Sequence, residues 1–342
     1  MEEAIFSKLR YMKKVLLIGG AGFIGFNITK FLAENRNYEI TVADNFFRGK
    51  MDVLLTDLVD KYKIRVVNAD FTNAASFDQL DKDYDQVYML AAVVGVKYTE
   101  EIPNELIRIN AFLALNTLEW LKTAQCKKVV FTSTSECYAG TIEAFDYQVP
   151  TPESVPLCID DITHPRFTYA VTKMLGESGF MNYSKVFGFE CTIVRYHNVY
   201  GPRMGFKHVI PQVTQRFLKK EDPFKIYGYD QTRSFNYIDD AVNGTVLAME
   251  TPDVSGEIFH IGDMTDELKI EELIKYIGEL MDYKGTYEYE SAPSGSVSRR
   301  CPDISKAQKM LGYDPKTSWK VGVKNTIEWY VNYINTGGDV FE

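Results

Sequence analysis

The chain has 342 residues, of which 45% are hydrophobic and 25% are charged, a composition typical of a globular protein. Its net charge of −9 argues against nucleic acid or a membrane surface as a partner, because both favour a basic face. The five cysteines show no CxxC spacing, and no apolar run approaches the roughly 18 residues of a membrane-spanning helix, so we expect reduced thiols, no metal site and a cytoplasmic protein.

Short apolar segments alternate with helical segments up to about residue 200. The alternation predicts an α/β fold with a Rossmann-like, doubly wound parallel sheet. The longest predicted helices cover 103–124 and 168–187. The predicted strands lie in KKVLLIGG, YEITVADN, KIRVVNADF, YDQVYMLAA, KKVVFTSTS and FECTIVRYHNVYG.

The first predicted strand ends in the glycine-rich segment GGAGFIG, residues 19–25. Glycines allow a tight turn and let backbone N–H groups, together with the N-terminus of the following helix, approach a pyrophosphate. A glycine-rich turn that binds nothing is the alternative. We predict dinucleotide contacts from Gly19, Gly22, Phe23, Ile24 and Gly25.

The second predicted strand ends at Asp44, about 20 residues beyond the glycines, where a carboxylate would accept hydrogen bonds from the adenosine ribose. Its charge would repel a 2′-phosphate and favours NAD over NADP, although Arg48 and Lys50 lie close in the sequence. Asp70 ends the third strand, where it either meets the adenine edge or caps the strand. Further cofactor contacts are expected from Asn45, Arg48, Phe71, Ala91 and Ala92.

Beyond about residue 200, proline and glycine interrupt the alternation, and GEIFHIGD is one further predicted strand. We predict an NAD-binding Rossmann domain over 12–200 with a return strand near 235–262. A smaller substrate-binding region comprises 201–234 and 263–342. Ligands of doubly wound sheets bind beyond the carboxyl ends of the strands, so we expect this region to cover that edge.

Tyr169 and Lys173 lie four residues apart in the predicted helix 168–187, which places both side chains on one face. A neighbouring ammonium favours the phenolate and lowers the pKa of a tyrosine, so that it can act as a base. A surface tyrosine and lysine without a chemical role is the alternative. The dinucleotide motif favours the catalytic interpretation.

The sequence resembles the extended short-chain dehydrogenase/reductase family, in its nucleotide-sugar epimerase, dehydratase and decarboxylase branch. The resemblance rests on GGAGFIG, LAAVVGV, STSE, YAVTK, RYHNVYGPRM, QTRSFNYIDDAVNG and RCPDISKA, with Asp44 and Asn110, and it covers nearly the whole chain. It implies that Tyr169 removes the proton of the sugar 4-hydroxyl while NAD takes up hydride from C4. It also implies that Lys173 holds the nicotinamide ribose, that Thr134 binds the same hydroxyl and that Asn110 contributes to the cofactor site.

Ser135 and Glu136 follow Thr134, whereas dehydratases of this branch usually carry aspartate and glutamate there. Serine is a poor proton donor to a leaving hydroxide, and Thr-Ser-Glu resembles the UDP-glucuronate decarboxylases. The resemblance implies that Glu136 and Arg300 of RCPDI assist a step at C5 and C6, and a guanidinium suits a C6 carboxylate. A 4-epimerase and a non-catalytic NAD-binding sensor remain alternatives.

A nucleoside diphosphate needs local cations in so acidic a protein. The resemblance implies that Arg233 meets the diphosphate. The expected substrate contacts are Val94, Asn198, Arg203, Arg233 and Arg300. The two long predicted helices carry more apolar residues than a single face packed on the core would require, which suggests that they also form a homodimer interface, as in family members. These residues are Phe112, Leu113, Trp120, Leu121, Met174, Phe180 and Met181.

Overall fold

The computed structural model describes residues 12–292 and 297–338, so parts of the predicted region 263–342 lie outside the described residues. The helices are α1 (Phe23–Asn35), α2 (Val53–Tyr62), α3 (Val96–Glu101), α4 (Pro103–Leu121), α5 (Ala139–Phe145), α6 (Phe167–Phe187), α7 (Val209–Leu218), α8 (Ile238–Glu250), α9 (Ile270–Leu280), α10 (Ser305–Leu311) and α11 (Trp319–Asn335). Two 3₁₀ segments cover Ala74–Gln79 and Ser135–Tyr138.

The strands are β1 (Lys13–Ile18), β2 (Tyr38–Asp44), β3 (Arg65–Asn68), β4 (Gln86–Met89), β5 (Lys128–Thr134), β6 (Glu190–Tyr196), β7 (Val199–Tyr200), β8 (Phe224–Tyr227), β9 (Thr232–Ser234), β10 (Asn236–Tyr237), β11 (Ile258–Ile261), β12 (Glu267–Lys269), β13 (Tyr287–Glu290) and β14 (Arg299–Arg300). Seven of them form one parallel sheet in the order β11-β6-β5-β4-β1-β2-β3. The predicted Rossmann-like fold is confirmed. The strand order reverses between β1 and β4, where a doubly wound sheet opens its ligand crevice.

The central strand β1 is apolar along nearly its whole length because both faces of the sheet are covered by helices. Successive side chains point to opposite faces, and the core divides accordingly. Val15 and Leu17 pack on one face, while Leu16 and Ile18 pack on the other, and all four are fully buried. Burial on both faces leaves the carboxyl edge as the place where polar side chains collect.

The C-terminal part of the chain builds small sheets over that edge. β14 pairs in parallel with β9, and the register sets Arg300 beside Arg233. β11 joins the main sheet instead, pairing in parallel with β6. The smaller region therefore brings two arginines of distant sequence positions to the same place. No helix among the described residues is long and apolar enough to cross a membrane.

A buried ion pair fixes α6 against the sheet. The guanidinium of Arg195 in β6 donates to Glu177 of α6 through Nε at 2.8 Å and Nη2 at 2.7 Å, and both side chains are at most 6% exposed. The Ser133 hydroxyl in β5 donates to the same carboxylate at 2.5 Å. One helical turn away, Lys173 is held at the level of the strand ends.

We expect Glu177→Ala to lower the free energy of unfolding by about 3–5 kcal/mol, because it leaves the buried charge of Arg195 without its partner. Urea unfolding followed by circular dichroism measures the change. As a control, Glu119→Ala removes a carboxylate from an exposed pair with Lys122 and should cost no more than about 1 kcal/mol. If both variants lost the same stability, the buried Arg195 charge would not be the cause. The same would follow if a Glu177→Met, Arg195→Met double variant were no more stable than Glu177→Ala.

Candidate active site

A cavity of about 750 Å³ opens at the carboxyl edge of the main sheet, between the strand ends and the C-terminal region. It is lined by almost all of the side chains that the sequence singled out. Those residues are Gly19, Gly22, Phe23, Ile24, Gly25, Asp44, Asn45, Arg48, Asp70, Phe71, Ala91, Ala92, Val94, Thr134, Ser135, Glu136, Tyr169, Lys173, Asn198, Arg203, Arg233 and Arg300.

The glycine turn forms one end of the cavity and leaves no room for side chains. Gly19 has φ +89°, and a Cβ there would lie 2.5 Å from the backbone nitrogen of Ala91. A Cβ on Gly25 would lie 2.2 Å from the carbonyl oxygen of Gly19. Gly22 begins α1 without a side-chain cap, so the first backbone N–H groups of the helix keep their capacity to bind an anion. The turn fits a dinucleotide diphosphate.

Asp44 supports this turn from the end of β2. Its Oδ2 accepts from the backbone N–H of Ala21 at 3.0 Å and its Oδ1 from that of Phe46 at 2.8 Å. Burial raises the pKa of the Asp44 carboxyl above its usual value, and the two hydrogen bonds offset only part of this rise. A carboxylate offers about four acceptor positions, so Asp44 retains the capacity to bind a ribose hydroxyl.

Other cofactor candidates are engaged in local turns at the same edge. Asn45 accepts from the backbone N–H of Phe47 at 3.0 Å, and Asp70 accepts from that of Thr72 at 3.0 Å. These turns orient the chain as it leaves each strand. For Asp70 the contact matches the capping role that the sequence left open.

Asn110 differs from the other cofactor candidates because it does not line the cavity. Its side-chain oxygen accepts from the backbone N–H of Val93 at 2.7 Å, and its Nδ2 donates to the carbonyl of Val93 at 2.9 Å. Both ends of the buried amide thus bind the backbone of one residue, Val93. Asn110 holds the chain after β4 in place and does not line the cavity, so its predicted contact with the cofactor stays a prediction.

Arg203, predicted to contact the substrate, lines the cavity and is bound by groups around the glycine turn. Its guanidinium donates to Asp52 at 2.8 Å, to the carbonyl of Ala21 at 3.0 Å and to that of Lys50 at 2.9 Å. These contacts place it beside the glycine turn, in the cofactor half of the cavity. Arg203 therefore ties the C-terminal region to the loops around the cofactor site.

Tyr169 and Lys173 lie in the first two turns of α6, on the face toward the cavity. The ammonium of Lys173 donates to the carbonyl of Thr132 at 2.8 Å and lies 5.9 Å from the centroid of the Tyr169 ring. Burial lowers the pKa of Lys173 to about 8. The predicted pair therefore faces the cavity as a phenol with an ammonium nearby.

The expected lowering of the pKa of Tyr169 by Lys173 is not met in the protein alone. Burial raises the pKa of Tyr169 well above its usual value, and Arg48 is the cation that opposes this rise. The reason is geometric, since the Lys173 ammonium is bound by a carbonyl and also lies 4.9 Å from the ring centroid of Phe131. A positive charge nearer the phenol is needed for the tyrosine to ionise.

Glu136 lies beside this pair in the 3₁₀ segment after β5. Its Oε1 accepts from Nη1 of Arg300 at 2.5 Å, and its Oε2 accepts from Nη2 of Arg166 at 3.2 Å. Burial alone would raise the pKa of this carboxyl, but the two guanidinium groups outweigh it and hold the pKa at about 2. Glu136 is therefore ionised at any pH near neutrality.

Asn198 and Arg233 complete the substrate half of the cavity. The Nδ2 of Asn198 donates to the carbonyl of Ser234 at 2.7 Å. Arg233 donates to the carbonyls of Thr232, at 2.7 Å, and Val297. Burial, together with the cations Arg300 and Arg166, lowers the pKa of Arg233 to about 10.

Several side chains that the sequence did not single out also line the cavity, among them His164 and Arg166. Arg166 precedes Tyr169 by three residues, so the helical spacing that paired Tyr169 with Lys173 could have identified it. His164 carries no comparable signal, because its position depends on a loop.

The sequence pattern of the family described as "NAD dependent epimerase/dehydratase family" matches residues 15–262. A UDP-N-acetyl-alpha-D-glucosaminuronate decarboxylase of Bacillus cytotoxicus is 34% identical over 93% of this chain and 98% of its own length. A UDP-glucuronate 4-epimerase of Thermodesulfobacterium geofontis is 31% identical over 92% of this chain and 95% of its own.

Among solved structures, the UDP-glucuronic acid 4-epimerase of Bacillus cereus in complex with UDP-glucuronic acid and NAD superimposes with a TM-score of 0.80. It is 27% identical, and the match covers 93% of this chain and 99% of that one. The family match covers the main sheet except for the first two residues of β1, and it includes the glycine turn, Tyr169 and Lys173. The chain belongs to the NAD-dependent epimerase/dehydratase family, whose enzymes act on nucleotide sugars.

Proposed function

We propose that the protein oxidises C4 of a nucleotide sugar bearing a C6 carboxylate and that the resulting 4-keto sugar then loses CO₂. The observation that carries the proposal is the Glu136–Arg300 ion pair in the same cavity as Tyr169 and Thr134. A 4-keto sugar with a C6 carboxylate is a β-keto acid, which loses CO₂ readily. The family supports the first step, and the ion pair supports the second.

Tyr169 acts in the first step by taking the proton of the 4-hydroxyl, and the Thr134 hydroxyl hydrogen-bonds the same oxygen. The positive charge that Tyr169 needs in order to ionise would come with the oxidised cofactor. NAD, when bound at the glycine turn, supplies the hydride acceptor. At a pH below its pKa of about 8, Lys173 keeps a positive charge beside Tyr169. These residues need no metal, and no cluster of metal-binding side chains is found in the described ranges.

In the second step the C5–C6 bond breaks and its electron pair moves toward the oxygen on C4. The hydroxyls of Tyr169 and Thr134 stabilise the negative charge that develops there. C5 then takes up a proton from water. The C4 ketone would finally take back the hydride held on the cofactor and the proton held by Tyr169, so that the product is lighter than the substrate by CO₂ alone. Glu136 is ionised, so it orders this water as an acceptor and fixes Arg300, which holds the carboxylate until CO₂ leaves.

Dehydration is a weaker candidate for this step. A leaving hydroxide needs a proton donor, but the pKa of about 2 keeps Glu136 ionised, and Ser135 is only 2% exposed. We therefore favour decarboxylation over loss of water.

The second candidate is 4-epimerisation, in which hydride returns to the other face of C4. It needs only Tyr169, Thr134 and a rotated sugar, and one relative is named a UDP-glucuronate 4-epimerase. A non-catalytic sensor would bind NAD but leave nucleotide sugars unchanged. The mass and stereochemistry of the product separate these candidates.

We expect the purified protein to convert UDP-glucuronate into a product lighter by the mass of CO₂, whereas UDP-glucose and UDP-N-acetylglucosamine should not lose mass. Mass spectrometry of the sugar nucleotides measures this. A new stereoisomer of unchanged mass would favour the epimerase. Tyr169→Phe should lower turnover by about 10²- to 10⁴-fold, while Tyr183→Phe, on the exposed side of α6, should leave it unchanged. Full activity of Tyr169→Phe would refute the catalytic assignment.

For Glu136→Gln we expect the loss of CO₂ and the protonation of C5 to slow by about 10²-fold or more. The reason is that Arg300 loses the negative charge that it pairs with, and the water that protonates C5 loses its hydrogen-bond acceptor. C4 oxidation should continue, so that the 4-keto sugar accumulates and can be trapped with borodeuteride. The control is Glu143→Gln, a carboxylate whose Oε1 accepts from the backbone N–H of Ser298 outside the cavity. If Glu136→Gln slowed both halves equally, its role would be to support Tyr169.

We also infer that the protein acts as a homodimer in the cytoplasm. None of the five cysteines forms a disulfide, and four of them are buried, which fits a reducing compartment. Of the apolar residues predicted to form a dimer bundle, Leu113, Trp120, Leu121 and Phe180 pack in the protein's own core instead. The faces of α4 and α6 nonetheless leave other apolar side chains more than a third exposed: Ile107, Phe112, Leu115, Val171 and Leu175.

Light scattering at micromolar concentration should give the mass of two chains. Leu175→Glu should yield one chain, because a charge at the centre of an apolar interface is costly. Val321→Glu, which changes an exposed residue of α11, should remain dimeric. A monomeric wild type would rule out the inferred interface.

A further inference from the structure

One corner of the cavity carries an excess of positive charge. Arg166 from the start of α6, Arg233 from β9 and Arg300 from β14 line it together with one carboxylate, Glu136. Arg233 and Arg300 are neighbours in the strand register. Two further carboxylates act on these arginines through space from outside the cavity, Glu143 and Glu267, and Glu267 is paired with Arg299. Inside the cavity, three guanidinium groups face one carboxylate, so the corner stays cationic.

The buried guanidinium of Arg300 is only partly satisfied. Its Nη1 donates to Glu136, but its Nε and Nη2 are buried and have no hydrogen-bond partner among the described residues. The side chain is 7% exposed. A buried charged donor without a partner is costly, so this arrangement favours the arrival of another acceptor group.

Arg166 is the more exposed and more distant partner of Glu136. Its side chain is 22% exposed, and its hydrogen bond to Glu136 is 3.2 Å long, compared with 2.5 Å for Arg300. It lies one helical turn before Tyr169, on the same face of α6. A group held by Arg166 would therefore lie in the same part of the cavity as Tyr169.

The charge count separates the roles of the three arginines. If Arg233 serves the nucleotide diphosphate, Arg166 and Arg300 face a single carboxylate inside the cavity, Glu136. One positive charge inside the cavity is then left for the sugar. A neutral sugar would leave that charge without a partner in a buried site. A sugar with a carboxylate would balance it and could share the two guanidinium groups with Glu136 in bidentate fashion.

We propose that Arg166 is a specificity residue that selects a carboxylate-bearing nucleotide sugar, by joining Arg300 in a pair of guanidinium groups shared between Glu136 and the sugar. This inference rests on the proposed function, since it assumes that a nucleotide sugar enters the cavity. It adds a residue and a selection rule that neither the sequence motifs nor the catalytic scheme require.

The test compares the dissociation constants of UDP-glucuronate and UDP-glucose, measured by isothermal titration of NAD-loaded protein. A Tyr169→Phe background prevents turnover. In that background UDP-glucuronate should bind more tightly than UDP-glucose. Adding Arg166→Gln should reduce this preference by about 10- to 100-fold, the effect of losing a hydrogen bond to a charged group. Arg166→Lys should restore part of the preference for UDP-glucuronate, because lysine keeps the positive charge but lacks the paired N–H donors of a guanidinium group.

Arg65→Gln is the matched control, since it removes a charge from an exposed arginine of β3 that does not line the cavity. It should leave the preference unchanged. If Arg166→Gln weakens both ligands equally, Arg166 is structural and the inference is wrong. It is equally wrong if the starting protein binds UDP-glucose as tightly as UDP-glucuronate.

The failure of the proposed function would look different. In that case the protein with Tyr169 intact would convert neither nucleotide sugar, or Tyr169→Phe would not slow conversion. A protein that oxidises UDP-glucose at C4 through Tyr169 would refute only the selection by Arg166.

Discussion

The structure depends on the buried ion pair between Glu177 and Arg195. It joins α6 to the central strands, and Ser133 adds a third element to the same carboxylate. Polar groups of this kind bring little net stability, because their desolvation offsets most of their attraction. Their value here is geometric. Because α6 cannot slide along the sheet, Tyr169 and Lys173 stay at the level of the strand ends.

A second constraint is the way in which distant segments complete the site. Glu136 and Arg300 are separated by 164 residues, and Arg203 and Asp52 by 151. Each pair joins a loop of the main sheet to the C-terminal region. The first pair shapes the substrate half of the cavity and the second the cofactor half. The small sheet of β9 and β14 is thus part of the active site rather than an appendage to it.

Much of this architecture could be predicted from the sequence, because it depends on local patterns. Continuous apolar runs predicted parallel strands, GGAGFIG predicted the anion-binding turn, and the spacing of Tyr169 and Lys173 predicted a shared helix face. The contacts that the sequence could not show are those set by long-range packing. Nothing local shows that the amide of Asn110 binds the backbone of Val93, or that the Arg203 guanidinium is bound by two separate segments.

The dimer prediction shows the same limit. Periodicity identified apolar residues on the two long helices, but it did not separate those facing the sheet from those facing outward. Phe180, for example, stacks on Phe131 inside the core. The acidity of Tyr169 was misjudged for a related reason. Burial dominates its pKa, and burial is known only once the fold is known.

The three contacts of Arg203 have a consequence for how the enzyme handles its dinucleotide. Any opening of the loops at residues 21 and 50–52 must break an ion pair and two hydrogen bonds together, so we expect NAD to exchange with solvent far more slowly than the sugar nucleotide does. Such an enzyme would be insensitive to the surrounding ratio of NAD⁺ to NADH, because the hydride would circulate within one protein molecule. Retention of NAD through prolonged dialysis would show that the protein keeps its cofactor between turnovers. Rapid loss of NAD would disprove this.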